Sequence, residues 1–338
     1  MMLNADDFGG YGTNANLVLS WGANWTLVGT DPWGGPQARV GASTPIKFTT
    51  GFVAGDTFIY AFRCKMNNWA AANSRWISIC DINSVEHIRL RLAGDDTLEA
   101  TRNGTAIVPG AGNVKGTKVF QDGATYWFSL KGKIHDTTGF LELKVDGITD
   151  ISFTGADTKN AGTSDIPAGF LCDGNSDIHL SSWIVANTTA GDGIVDHIPP
   201  CRAERLIPNA NGDLSGYVAL GGGTLASELD DPATHDGDAT RVSAAAPASF
   251  LVNMASIVGA PSAIIAAYAE IVHEKDDAGA CTARIDVKAA GVTQNGPTLA
   301  PTGGNYTTDK LMLGDTPASI PWSVADINGV QVGATRIT

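Results

Sequence analysis

The densest collection of chemically capable side chains is the run SELDDPATHDGDATRV, Ser227 to Val242. It carries Glu228, Asp230, Asp231, Asp236 and Asp238 together with His235. Carboxylates at this density could hold a divalent cation, and a carboxylate beside a histidine could move a proton. A calcium loop needs oxygens at alternating positions, a central glycine and a closing glutamate at its twelfth place. Pro232 and Ala233 stand where ligands are required, and no glutamate closes the run. What survives is a looser cation site made of Asp236, Asp238 and a carbonyl. The other reading is a solvated link between strands, because Pro232 and Gly237 form turns and clustered carboxylates hydrate well at a surface. We expect the link: an exposed acidic connector leading into a strand near Thr240, with no resident metal or cofactor.

Other reaction chemistries find less support. Glycoside hydrolysis needs two carboxylates held across a sugar by rigid strands. Glu142 is followed by Lys144 and Glu99 by Thr101, so neither begins an E-x-D-x-x-E strand. The histidines at 87, 135, 179, 197, 235 and 273 show no metal-binding spacing. His179 beside Asp177 is the most site-like, although a strand histidine facing solvent accounts for it. No nucleophile elbow or phosphate loop is present, and Gly221-Gly222-Gly223 reads as a flexible turn. The expectation is a protein without enzymatic activity.

Sugar binding is the stronger candidate chemistry. The stretch MNNWAAANSRW places Asn67, Asn68, Trp69, Asn73 and Trp76 in one loop-like segment. A ring can stack on a sugar while amides bond its hydroxyls. The favoured reading is nevertheless that Trp76 begins a core strand and Trp69 packs over the edge of the sandwich.

The elements that must position these residues are strands. In HIRLRLAGDD, Ile88, Leu90 and Leu92 alternate with Arg89 and Arg91. In GFLELKVDGITD, Leu141, Leu143 and Val145 alternate with Glu142 and Lys144, and Asp146-Gly147 supplies a hairpin turn. ATYWFSLKGKI puts Tyr126, Phe128 and Leu130 on one side. DTFIYAFRCKM reads as a strand buried on both faces, and DIHLSSWIVAN as a closing strand. Two short strands joined by Asn103-Gly104 are expected over 95–108. PSAIIAAYAEIVHEKDD could be helix or strand; Ile264, Ala266, Tyr268, Glu270 and Val272 fit one strand face, and we read it as a strand.

With 338 residues the chain can hold two domains. Its glycines and prolines are scattered, marking many turns. The expected fold is all-β: two antiparallel β-sandwich, jelly-roll-like domains in tandem, over 1–190 and 211–338, with a junction at 191–210 where the alternation breaks. Lys plus Arg is 22 against 35 for Asp plus Glu, a net charge of −13. Such a surface repels phosphate backbones and anionic lipid, so no nucleic-acid or membrane partner is expected. Cys64, Cys80, Cys172, Cys201 and Cys281 form no ligand pattern; an odd count reads as free thiols, with a Cys64–Cys80 disulfide as the alternative. The N-terminal MMLNADDFGGYG shows no secretion-signal pattern, and no stretch reaches membrane-spanning length. Trp21, Trp25 and Trp33 could be core plugs or surface platforms, and burial is favoured.

Two resemblances follow from these segments. The first half, on DTFIYAFRCKM, HIRLRLAGDDTLEATRNGTAI, ATYWFSLKGKI, GFLELKVDG and IHLSSWIVAN, resembles the laminin-G-like or concanavalin A-like jelly roll. The second half resembles a β-sandwich domain recurrent in structural proteins of tailed bacteriophages. That resemblance rests on GDTPASIPWSVADINGVQVGATRI, on the acidic run before TRV, and on EIVHEKDDAGACTARIDV. It implies a virion component made in the host cytoplasm and leaves its position in the virion open. Together with a lectin-like first half suited to host contact, the reading is part of a tail or neck appendage of fibre or adhesin type. A capsid decoration protein is the alternative, and a carbohydrate-binding module outside any virion a further one. The implied partners are copies of itself, as a trimer, neighbouring virion proteins and a host-surface glycan.

Overall fold

The computed structural model describes residues 2–6, 25–30, 36–40, 45–47, 51–67, 75–107, 113–172, 177–188, 196–202, 204–229, 240–259, 261–275, 279–303 and 306–338. The chain divides into two compact units, one of residues 1–190 with 194–203, the other of 204–338 with 191–193. Both are antiparallel β structures, so the all-β class and the sandwich architecture read from the alternation are those of the protein.

The first unit opens with β1 (Met2–Asp6), β2 (Trp25–Thr30), β3 (Pro36–Val40) and β4 (Pro45–Lys47). It continues through β5 (Thr57–Asn67), β6 (Arg75–Asp81), β7 (Glu86–Leu92), β8 (Leu98–Arg102) and β9 (Val114–Lys115). β10 (Thr125–Lys133), β11 (Gly139–Val145), β12 (Ile148–Ala156), β13 (Pro167–Cys172) and β14 (Asp177–Asn187) complete it. An eight-stranded sheet runs β12-β11-β10-β5-β14-β3-β2, with β1 also on β14, and a six-stranded sheet runs β4-β13-β6-β7-β8-β9.

The alternation decides what lies between the sheets. Phe58, Tyr60 and Phe62 of β5, Phe128 and Leu130 of β10 and Leu141 and Leu143 of β11 meet Ile77, Ile79, Ile88, Leu90 and Leu98 of the smaller sheet in one core. The Trp76 and Phe128 ring centroids are 4.5 Å apart. Each such fully buried ring or branched side chain stabilises the fold by roughly 1.5–3 kcal/mol. Asp146 and Gly147 turn β11 into β12 at φ 51° and 86°, and the Asp146 carboxylate accepts the Trp127 amide at 2.9 Å.

β14, the last strand of this unit, lies in the interior of the large sheet between β5 and β3. One expectation is corrected here. Asn103-Gly104 does form a turn, with φ 44° and 83°, but it is followed by a single bridge, Thr105 to Arg102, and the strand that pairs with β8 is β9, further on at Val114–Lys115. Cys64 and Cys80 lie in opposite sheets, buried and unbridged, so the alternative disulfide is not formed.

The second unit comprises β15 (Pro208–Ser215), β16 (Val218–Ala219), β17 (Val242–Ser243), β18 (Ala248–Met254) and β19 (Ala267–His273). It ends in β20 (Ala283–Ala289), β21 (Val292–Asn295), β22 (Thr307–Leu313), helix α1 (Val324–Asn328) and β23 (Gln331–Arg336). Its main sheet runs β15-β18-β23-β20-β21. Against it packs the β19–β22 pair, where Ala269, Leu311 and Leu313 meet Ile285, Val287 and Ala289. The ambiguous segment is thus a strand, and its residues Tyr268, Glu270 and Val272 share the face turned away from that core. Ser323 caps α1 by a reciprocal box with Asp326. Trp322 is buried and donates its indole N–H to the Leu313 carbonyl at 3.2 Å.

Candidate functional site

The acidic run that dominates the sequence becomes a structural fastening where it is described. Glu228 is 4% exposed, not a solvent-facing member of a connector. Its carboxylate accepts the amides of Gly221 and Gly223 at 2.7 Å each and of Arg241 at 3.3 Å. The triple-glycine turn is therefore held by a buried carboxylate rather than left loose. Asp230, Asp231, His235, Asp236 and Asp238 lie outside the described residues, as does the cation site suggested for the last two. Among the described residues, no cluster of three or more histidine, cysteine, aspartate or glutamate side chains could hold a metal ion.

The glycan-contact candidates separate in the same way. Asn68, Trp69 and Asn73 lie outside the described residues, and of Asn67 only its place at the end of β5 is described. Trp76 is 2% exposed and packs on Phe128 and Phe62. It belongs to the core between the two sheets. His179 sits on β14, half-buried, and pairs with Lys65 of β5 and Arg39 of β3 in register.

Polar groups gather instead on the two outer faces of the first unit. On the six-stranded sheet, Ser78, Arg89 and Thr101 stand opposite one another across β6, β7 and β8. The Ser78 and Thr101 hydroxyls are fully buried and have no hydrogen-bond partner among the described residues. Arg89 lies beside them, its Nη2 2.6 Å from Glu86 Oε1. In the next outward row Arg91 pairs with Glu99, whose second oxygen accepts from Asn113 Nδ2 at 3.2 Å. Lys115 and Asp95, paired at 2.7 Å, form the exposed rim. The result is a recessed polar sheet face: hydroxyls at its floor, planar guanidinium groups and carboxylates above them.

At one end of this face His87 and Asp81 are both fully buried, with Nε2 and Oδ2 3.5 Å apart. Asp81 Oδ1 accepts the amides of Asn83 and Val85, and Oδ2 that of Ser164. The Asn160 amide donates to His87 Nδ1 at 3.0 Å. Burial pushes the His87 imidazole below its ordinary value, against the pull of Asp81. The pair ties the β6–β7 turn to the 157–166 loop.

The outer face of the large sheet is covered. Residues 196–202 cross β5, β10 and β11. Trp127 Nε1 donates to the Ile198 carbonyl at 3.0 Å, and Arg63 Nη2 to the Cys201 carbonyl at 2.7 Å. Ser129 Oγ accepts the Ile198 amide at 3.2 Å and lies 3.0 Å from His197 Nδ1. His197 Nε2 is 3.3 Å from Glu142 Oε2. A serine, a histidine and a glutamate in line resemble a nucleophilic triad, but Ser129 is 2% exposed beneath the segment, where no substrate carbonyl can approach. Burial pushes His197 below its ordinary value, with Lys144 adding and Glu142 opposing. Burial raises Glu142, but the Thr149 hydroxyl, His197 and Lys144 outweigh it and hold the carboxyl low.

These groups escape sequence reading because they come from positions far apart in the chain. One signal exists: in Tyr126-Trp127-Phe128 the middle residue falls on the outward phase of β10 yet is a tryptophan, which marks a covered face.

Defined by this fold, the chain is an antiparallel β-sandwich protein of jelly-roll type. No family model matches it, and no curated protein does. Among solved structures it is similar to the cellulose-induced protein Cip1, at 15% identity over 48% of this chain and 84% of that one, TM-score 0.33. It is similar to an endo-β-1,4-glucuronan lyase from the fungus Trichoderma reesei, at 12% identity over 57% and 98%, TM-score 0.37. A Trypanosoma rangeli sialidase matches at 12% identity over 44% of this chain, TM-score 0.29, and the chain spans 27% of the sialidase's length.

Proposed function

We propose that the chain is a non-catalytic binding protein whose first unit holds a saccharide on the outer face of its six-stranded sheet. The observation that carries this reading is the partly exposed row of Arg89, paired with Glu86, and Arg91, paired with Glu99, on that face. Fixed guanidinium donors bind sugar carboxylates and hydroxyls in well-defined geometry. Guanidinium groups set among carboxylates suit a polyhydroxylated ligand, with an acidic one competing for the arginines. In the context that the second-half resemblance implies, this is an adhesin-like tail or neck appendage of a tailed phage, with the sugar on the host surface.

A glycan array probed with the full chain tests the reading. Binding to oligosaccharides should fall about tenfold or more in Arg91→Lys, which keeps a cation opposite Glu99 but loses the planar fork, with the melting temperature of the first unit retained. Silence across the array would sink the saccharide reading and leave capsid decoration as the role to test, by immunogold labelling of purified particles.

Assembly by the second unit is the companion reading, and a separate observation favours it. Leu214, at the end of the main sheet's edge strand β15, and Val218 and Leu220, in and just after the separate β16–β17 pair, are 45%, 61% and 49% exposed within seven residues. Apolar side chains so concentrated at the surface support contact with another copy or a neighbouring shell protein. Light scattering should show an oligomer that Val218→Asp with Leu220→Asp dissociates; a monomeric wild-type chain counts against it.

A further inference from the structure

The segment 196–202 has no strand or helix of its own, and side chains of the sheet below hold its backbone. Two of its carbonyls, those of Ile198 and Cys201, are taken by Trp127 and Arg63. Two of its ionisable side chains are turned inward: Cys201, whose thiol is pushed up to about 12 by burial, and His197, whose side chain is 5% exposed.

His197 is tied to the sheet below on both ring nitrogens. Nδ1 lies 3.0 Å from Ser129 Oγ, which also accepts the Ile198 amide at 3.2 Å. Nε2 lies 3.3 Å from Glu142 Oε2.

The charged groups around the ring leave little to receive an imidazolium. From β11, Glu142 faces it but is shared with Lys144 at 3.6 Å. From β10, Lys131 lies against Asp196, the segment's own acid, at 3.0 Å. Two carboxylates are already matched by two ammonium groups, and an imidazolium would be a third cation in a half-buried site.

We propose that residues 196–202 form an acid-released cover: they stay docked while His197 is neutral, and its protonation detaches them and uncovers Trp127, Arg63 and Ser129. Burial, the largest influence on the docked ring, acts in the same direction, setting it below the ordinary 6.5. A released histidine titrates near that ordinary value, so docking is fully favoured above it and weakens as the pH falls below it.

Hydrogen exchange of the full chain, corrected for the intrinsic rate at each pH, tests this between pH 7.5 and 5.0, above the range where Glu142 and Asp196 titrate. Protection of residues 196–202 should fall with pH, by up to about tenfold for each pKa unit separating docked and free histidine. The amides of Phe128 and Leu143 in the sheet below should keep theirs, which separates release from general unfolding. In His197→Asn the pH dependence should disappear. Should that variant stay undocked at every pH, Lys144→Gln provides the second readout, since removing a cation beside the ring must move release to lower pH. Unchanged protection of the wild-type segment over this range overturns the proposal. So does an equal fall in His197→Asn, or an unmoved midpoint in Lys144→Gln.

Discussion

Gly333, in the central strand β23, lies against the carbonyl of Phe250 in β18, so closely that a Cβ at position 333 would overlap the Phe250 oxygen. The oxygen belongs to backbone paired on both sides and cannot move aside without breaking the sheet. Gly333→Ala should therefore destabilise the second unit by about 1–3 kcal/mol. Calorimetry of the full chain would show this as a lowered transition for that unit alone. A loss below about 0.5 kcal/mol would mean the two strands do not approach as described.

Glu228 offers a second, independent test of the same unit. Its two oxygens receive three backbone N–H groups in a buried position. Glu228→Ala leaves those donors without partners, at a cost of roughly 1–3 kcal/mol for a buried unsatisfied group. Glu228→Gln keeps one acceptor oxygen and turns an amide toward the remaining donors, so it should restore only part of the loss. Denaturant titration of both variants checks the order. If alanine and wild type unfold at the same midpoint, the carboxylate is not the fastening of the glycine turn.

Glu228 also shows where sequence reading stops. Composition marks the run around it as acidic and its Pro and Gly as turn formers, and both point to a surface. Nothing local says that one of the five carboxylates turns inward, because its partners are backbone amides whose placement depends on the loop closing. Alternation was more informative where one face is buried: Ile88 and Leu90, or Leu141 and Leu143, are fully buried as their spacing requires. At Trp76 a register irregularity between Arg75 and Ile77 sends consecutive residues into the core, which strict alternation does not anticipate. The Ser78–Arg89–Thr101 row and the His197 contacts are products of strand order and long-range pairing, which a single sequence does not display.

His87 makes the first unit's stability depend on pH. Its folded-state pKa lies below the ordinary 6.5 because burial disfavours the charged ring more than Asp81 favours it. Below 6.5 the unfolded chain therefore binds the proton more readily than the folded one. The stabilisation is complete above that pH and is lost as pH falls toward the folded value, at up to about 1.4 kcal/mol per unit of pKa difference. The first unit should melt at a lower temperature at pH 5.5 than at 7.5. His87→Asn, which keeps an acceptor near the Asn160 amide, should be less stable at pH 7.5 but show a shallower slope. An unaltered slope would place the titrating group elsewhere.

Thiol labelling probes both units at once, because the four cysteines whose side chains are described sit in unequal surroundings. Cys64 and Cys80 are fully buried in opposite sheets. Cys201, in the covering segment, is half-buried, and burial pushes its thiol up to about 12, against the nearby Arg63. At pH 8 roughly one molecule in ten thousand then carries the thiolate that reacts. Cys281, ahead of β20, is partly open to solvent. A thiol reagent added to the native chain should modify Cys281 first and Cys201 far more slowly, leaving Cys64 and Cys80 to react only in denaturant. Peptide mapping over time reads the order. If the covering segment is released by acid, transfer to pH 5.5 with a reagent active there should speed labelling of Cys201 relative to Cys281, and His197→Asn should abolish that change. Labelling of Cys64 as fast as Cys281 in the native state would contradict the placement of β5 at the heart of the first sandwich.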